Sequence, residues 1–530
     1  MMTELLGRLG RYLIQCVTID SRTLAVFRIA IGLLIIGDIL ARASTFTFFY
    51  TEDGVVPQEL AESRTVDGAF SFFFYTQDPT IIALLFLIHA LVAIQLMIGY
   101  KTTFAMILSF LFVISLDHHN PLILSHADTL FRLLCFWAIF IPLGERWSID
   151  ALQRDREPRM SVASLGTAAI LLQMVYMYTI NGIHKINGPL WNSREATPLI
   201  FGLDDMTYFL AGPMRQYPVM LEILGTMWYF LLVMSLLLLF LQGRSRYAMA
   251  ILIFGAHLSF TITVRIGAFG WVGMSGVMLF LPAIFWEDLN ALSRRLTIRE
   301  RVVAPVHNAL SAFGERAAST LPKLQPKLSV PPVVRDGAFD VGMTFLIMSL
   351  FVFPTIWFLE DEDVVEWERS SVEQRIEDEF RKIGVRQSQW TVFAPNPRTT
   401  DRWYVFPART ADGELLDVYN DRPFSFERPY DELQNIYGNY RERFYMNTIR
   451  RAGERGSPPG YLVDWICRDY AERGIELTQI DIYVINERVT RETIDDHANR
   501  ESWSDLMSSH ACEGHSAGEI DLPEAPPGGS

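Results

Sequence analysis

Residues 223–241 read ILGTMWYFLLVMSLLLLFL, without one charged side chain. A helix needs about 20 apolar residues to cross the hydrocarbon core of a bilayer, so this stretch predicts a membrane protein. Composition agrees. Half of the 530 residues are apolar and the mean hydropathy is positive, despite a net charge of −14. That mixture predicts membrane spans joined to an acidic soluble part. The acidic balance argues against a nucleic-acid partner.

Outward from 223–241, further apolar runs lie at 24–42, 80–100, 103–117, 127–143, 163–183, 247–264, 266–286 and 340–359. The expected fold is therefore a polytopic all-α transmembrane bundle of about nine helices. Residues 1–23 are amphipathic and no small-residue cleavage site follows the first apolar run, so that run is expected to stay as an anchor.

Connecting segments differ in Lys and Arg content. One set carries Arg8, Arg11 and Arg22, then Lys101, then Arg146, Arg154, Arg156 and Arg159, then Arg244 and Arg246. The alternate set has Arg42 and Arg64, nothing in 118–126, then Lys185, Arg194, Arg215 and Arg265. The positive-inside rule places the N-terminus in the cytoplasm and, with an odd span count, residues after 360 outside the cell membrane. Residues 1–290 form the first transmembrane unit, 291–338 a basic cytoplasmic linker, and 339–360 the last span. Residues 361–515 read as a small extracytoplasmic α+β domain: a charged amphipathic helix within 364–385, the hairpin WYVFPARTADGELLDVY at 403–419, a helix near 459–473, and the strand-like IDIYVIN at 480–486. The Pro/Gly-rich end, 516–530, is expected to be disordered.

With this topology, polar residues gather at the outer face. Asp117, His118, His119 and His126 lie in one connection, and Asp128 and Arg132 follow at i,i+4, a spacing that lets them pair. His257 lies inside the seventh span. Arg28 and Asp38, ten residues apart in the first span, sit about 15 Å apart along a helix and cannot bond each other; they read as structural contacts to other helices. Lys185, in YTINGIHKINGPLW at 178–191, ends a span. A lysine at that depth must be solvated, paired or left uncharged, and the last state is a usable base. It could equally snorkel to headgroups, and His257 could be a packing residue. Spacing matches no familiar zinc pattern in the 117–126 cluster, so no metal is expected. His510, Cys512 and His515 in SHACEGH sit in a segment read as flexible tail. Cys16, Cys135, Cys467 and Cys512 are too scattered to define a disulfide framework, although a Cys467–Cys512 bond is permitted outside the cell.

Several motifs together carry a family resemblance. LAVFRIAIGLLIIGDIL at 24–40 with YTEDGVVP at 50–57, HADTLFRLLCFWAIFIPLGERWSIDAL at 126–152, YTINGIHKINGPLW, and HLSFTITVRIGAFGWVGMSGVMLFLP at 257–282 resemble the horizontally transferred transmembrane (HTTM) domain. That family includes the vitamin K-dependent gamma-glutamyl carboxylases. WTVFAPNP at 390–397 is similar to the segment opening the outer domain of many microbial members.

In the carboxylases a motif lysine deprotonates vitamin K hydroquinone, and the oxygenated product removes a proton from a peptide glutamate, which then captures CO2. The resemblance implies Lys185 as the catalytic base, with His126 and His257 assisting, and Tyr178, His184 and Trp191 beside a reduced vitamin K or menaquinone-type quinone. It implies carboxylase-like (carbon–carbon lyase) activity on a secreted peptide or protein. His184 stands where the carboxylases carry the first of two lysines, and their propeptide- and glutamate-binding regions have no counterpart here. The alternative function is a non-catalytic membrane factor that binds a secreted partner, or assists its export or maturation, through the outer domain.

Overall fold

A computed structural model describes residues 2–297, 299–323, 332–429, 433–452, 458–518, 520 and 522. It is mostly helical, with a sheet region near the C-terminus. The helices that matter here are α1 (Met2–Cys16), α2 (Ser21–Ala43), α3 (Pro79–Ile98), α4 (Thr102–His119), α5 (His126–Ala138), α6 (Leu165–Ile186), α7 (Pro218–Val233), α8 (Gly243–Thr263), α9 (Phe269–Val277) and α10 (Ala283–Arg295). They are followed by α11 (Ala304–Thr320), the continuous helix α12 (Asp336–Asp361), α13 (Ser371–Lys382), α14 (Tyr440–Ala452) and α15 (Pro458–Glu472). Among the described residues five are long and apolar enough to cross a membrane: α2, α3, α4, α8 and α12. The chain is a multi-pass integral membrane protein.

Local chemistry sets the helix ends. Asp78 caps α3 by accepting from the Thr80 N–H at 2.7 Å, Pro79 occupies the first turn, and Gly99 closes the helix at φ +70°. Ser125 with Asp128 and Ser164 with Thr167 form reciprocal caps at the starts of α5 and α6. Along α3, Ile81, Leu84, Leu87, Leu91 and Ile94 are exposed, a greasy stripe that only a bilayer would cover.

Contacts define two ends of the bundle. At the first, the Thr23 hydroxyl of α2 bonds the Leu281 carbonyl at 2.9 Å, and Arg28 bonds the Leu143 and Arg146 carbonyls at 3.0 and 3.1 Å. At the second, Arg42 of α2 meets Asp117 of α4 at 2.7 Å. The sheet region sits on this second end. Arg441 of α14 bonds Asp38 and Asp128, and Thr448 donates to the Leu122 carbonyl at 2.8 Å. The strands are β1 (Thr400–Val405), β2 (Pro407–Thr410), β3 (Leu415–Asp417), β4 (Arg422–Pro423), β5 (Leu477–Arg488) and β6 (Ser502–Ala511). The long strand β5 pairs antiparallel with β6 on one side and with β1 and β2 in succession on the other. The expected hairpin is β2–β3, with Pro407 opposite Asp417.

Several expectations change. The 223–241 run is not one helix: α7 ends at Val233 and a short helix resumes at Leu237–Phe240. Between them the buried Ser235 hydroxyl bonds Thr179 Oγ1 of α6 at 3.1 Å. The 266–286 run breaks at Pro282, which supplies no N–H to continue a helix, and the chain turns by 101° into amphipathic α10. Helix α5 stops at Ala138, short of the expected 143. Asp128 and Arg132 do not pair; Asp128 goes to Arg441 and Arg132 to Asp117 at 2.8 Å, because each meets a stronger partner across the bundle. Arg28 and Asp38 bond separate elements, as their spacing requires.

The basic linker contains α11, held to the first end where Gln153 donates to the Ala318 and Leu321 carbonyls, both at 3.0 Å. Its residues 298 and 324–331 lie outside the described residues. SHACEGH is ordered rather than tail-like, since it finishes β6, and Cys512 forms a disulfide with Cys467 of α15. Of the expected disordered end, residues 519, 521 and 523–530 lie outside the described residues.

Candidate active site

On α6, Tyr178, Asn181 and Lys185 are spaced by three and four residues, which places them on one helical face. That face is buried; Lys185 is only 1% exposed. Its Nζ donates to Asn181 Oδ1 at 2.8 Å and to the Val392 carbonyl at 2.6 Å, and lies 4.6 Å from the centre of the Trp191 ring. Neither acceptor is a carboxylate. Two turns back, the Tyr178 hydroxyl and His257 Nε2 of α8 share a hydrogen bond at 2.7 Å. The other ring nitrogen, Nδ1, is buried with no hydrogen-bond partner among the described residues. Gly273 makes room for this ring, since a Cβ there would meet His257 atoms at 2.6–2.9 Å.

These groups line one cavity with about 690 Å³ of empty space, its mouth included. The rest of the wall is mainly apolar and aromatic, with Trp191, Trp228, Trp390 and Phe393 prominent. Its few convergent polar groups in an apolar wall are the pattern of a small-molecule site. The Trp228 ring packs edge-on against His257 at 5.5 Å, so the imidazole is held from the side as well.

The cover of the cavity comes from the segment 389–396, some two hundred residues away in sequence. Its carbonyls are bonded one after another by the end of α6 and the short helix Pro189–Asn192. His184 donates to the Gln389 carbonyl at 2.9 Å, Asn181 to the Trp390 and Val392 carbonyls at 2.6 and 3.0 Å, and Trp191 to the Phe393 carbonyl at 2.8 Å. Asn396 Oδ1 accepts from the Leu190 N–H at 3.0 Å. Trp390 and Phe393 have φ of +53° and +52°, a conformation costing bulky residues on the order of 1–3 kcal/mol each. The surrounding bonds hold them there. Gly188 permits the approach, because a Cβ on it would lie 1.9 Å from the Pro395 carbonyl oxygen.

Of the residues expected at a site, Lys185, Tyr178, Trp191 and His257 come together. His126 and His184 do not join them. His126 bonds the Ser388 hydroxyl at 2.9 Å and lines a neighbouring, larger cavity, with Trp390 between the two. His184 points away, onto Gln389 and within 3.8 Å of Glu362. One residue along a helix is a turn of about 100°, so His184 and Lys185 cannot face the same space. Asp117, His118 and His119 also serve other ends: Asp117 in ion pairs, His118 on the Phe70 carbonyl at 2.8 Å, and His119 against the Tyr50 and Phe73 rings. Asn181, Trp228 and the 389–396 segment were missed. Asn181 was legible, one turn before Lys185.

A family model for the HTTM domain matches residues 17–285, half of the chain. The protein belongs to the HTTM domain family. The match contains Tyr178, Lys185, Trp191 and His257 but stops short of the 389–396 cover, so this HTTM protein closes the cavity with a segment from beyond the matched domain. No curated protein and no solved structure matches the chain.

Proposed function

We propose that this protein is a quinol-dependent membrane enzyme in which the Lys185 amine takes a proton from a reduced lipid quinone held in the cavity. The observation that carries the reading is a buried amine whose hydrogen-bond partners among the described residues are both carbonyl oxygens. A charged ammonium there lacks the counter-ion that buried charges need, whereas a neutral amine keeps a lone pair for a hydroxyl proton.

The walls fit a flat, apolar ring. Lys185 and Tyr178 are seven residues apart, about 10 Å along the helix. That matches a ring with hydroxyls at opposite ends and a hydrogen bond of about 2.8 Å at each. The unpartnered Nδ1 of His257 is a further polar group of the ring that lines the cavity. A bound quinol supplies the oxidisable hydroxyls; Asn181 and Val392 orient the amine, Tyr178 and His257 address the far oxygen, and Trp390 with Phe393 excludes water. The resemblance extends this to carboxylase-like chemistry on a secreted peptide or protein.

The proposed topology has nine crossings, with α5, α6, α7 and α9 as further passages, the N-terminus in the cytoplasm and the sheet region outside. Helix ends alternate between the two bundle ends, the Lys and Arg bias follows the alternation, and the Cys467–Cys512 disulfide suits an oxidising compartment. After mild reduction, a membrane-impermeant maleimide is expected to label Cys467 and Cys512 on intact cells. Labelling only after lysis contradicts the sidedness.

The ligand is testable through Trp191, Trp228 and Trp390. Titrating a menaquinone analogue into detergent-purified protein is expected to quench tryptophan emission saturably, with a smaller amplitude in Trp228→Phe. Quenching that never saturates, or is equal in the variant, rules out quinone in this cavity and favours the partner-binding factor.

A further inference from the structure

Beside the Lys185 cavity, with Val392 and Phe393 as shared wall, lies a second, more open cavity with about 1130 Å³ of empty space, the solvent at its mouth included. Its lining is of opposite character: Arg398, Arg402, Arg443, Arg450 and Arg451 face it from β1, the strand's approach and α14. Arg398 and Arg443 share Asp205, the latter at 3.6 Å. Asp401, the next carboxylate, is engaged by Arg428 and Arg500 at 3.4 and 3.2 Å.

Three guanidiniums then have no carboxylate partner among the described residues. Arg402 bonds only neutral oxygens, Asn486 Oδ1 and Thr400 Oγ1, both at 3.0 Å. Arg450 and Arg451 have no carboxylate partner among the described residues, and the Arg450 Nε is buried without any hydrogen bond. Burial lowers Arg402 to about 10, and the nearby Arg398 and Arg450 act in the same direction. Basic residues in the last turn of a helix complement its dipole. That explains the sign of Arg450 and Arg451 but not a buried, unbonded Nε on a cavity wall.

We infer that this cavity is a binding site for a phosphate-bearing anion with at least two negative charges, a phosphomonoester or diphosphate. A single carboxylate has one charge and two oxygens and occupies one guanidinium fork. Arg450 and Arg451, with Arg402 held only by neutral oxygens and Asn396 and Asn447 on the same wall, match the larger oxygen count of a phosphate. The inference goes beyond the quinol reading and does not depend on it. The anion is either a free phosphate compound or the headgroup of an anionic lipid.

Calorimetric titration of the full-length purified protein separates these, with inorganic pyrophosphate, short-chain phosphatidic acid and a glutamyl peptide as probes. Saturable binding of either phosphate is expected, weakened at least about tenfold in Arg450→Gln/Arg451→Gln and by added salt. Pyrophosphate binding alone identifies a free phosphate; binding of phosphatidic acid only identifies a headgroup. If the double variant does not fold, Arg402→Lys provides the same comparison. No phosphate binding, binding unchanged in a folded variant, or tighter binding of the glutamyl peptide overturns the inference.

Discussion

Two groups of buried ionisable residues sit at the same end of the bundle and are built on opposite principles. Around Arg42, three guanidiniums and three carboxylates alternate. Arg42 reaches Asp38 and Asp117 at 2.7 Å, Arg132 reaches Asp117 at 2.8 Å, and Arg441 reaches Asp128 at 3.1 Å. Lys185 has Asn181 Oδ1 and a backbone carbonyl instead. The first group joins α2, α4, α5 and α14 with charge matched, so it fastens the sheet region to the membrane helices. The second leaves a reactive amine facing an apolar cavity. Matched charge marks a clamp here, and unmatched charge marks a site.

That contrast can be broken from either side. The largest stability effect is expected in the clamp: Asp117→Ala leaves Arg132 without an acid and Arg42 with Asp38 as its nearest carboxylate, which costs about 3–5 kcal/mol, and should lower the melting temperature in detergent by far more than any change at Lys185. A clamp variant that melts like wild type would make the network incidental. Next is the close approach beneath the cover. Gly188→Ala places a methyl against the Pro395 carbonyl, an overpacking of about 1–3 kcal/mol. Quinone affinity should fall more than thermal stability, as read by tryptophan quenching, and an unchanged midpoint would detach the cover from the site.

The smallest effect lies at the opposite end of the bundle. Burial pushes the Glu145 carboxyl up, but its bonds to Arg156 and Arg159 outweigh that and hold it at about 2, below its ordinary 4.5. Its contribution is therefore present above about pH 4.5 and lost as pH falls through 2. Glu145→Gln should flatten the acid limb of stability between those values and leave quinone binding alone. Parallel acid limbs in the two proteins would contradict it.

The helical register of YTINGIHKINGPLW was enough to bring Tyr178, Lys185 and Trp191 to one cavity, and His257 followed from its place in α8. His184 failed by the turn of a single residue. The breaks at Ser235 and Pro282 were hidden because hydropathy averages over a hydroxyl and one missing N–H. The cover at 389–396 was legible only through resemblance, as the opening of the outer domain; its role depends on carbonyl bonds across two hundred residues, which no local pattern encodes. The Cys467–Cys512 bond is of the same kind, set by how α15 packs on β6.

The central claim is that the unpaired amine works and the paired charges hold. Quinol oxidation by dissolved dioxygen and melting temperature, measured together on Lys185→Ala, test it most directly. The account predicts oxidation reduced by about a hundredfold or more, in line with loss of a positioned base, at a melting temperature close to wild type. Oxidation at the wild-type rate in a folded Lys185→Ala protein would contradict it.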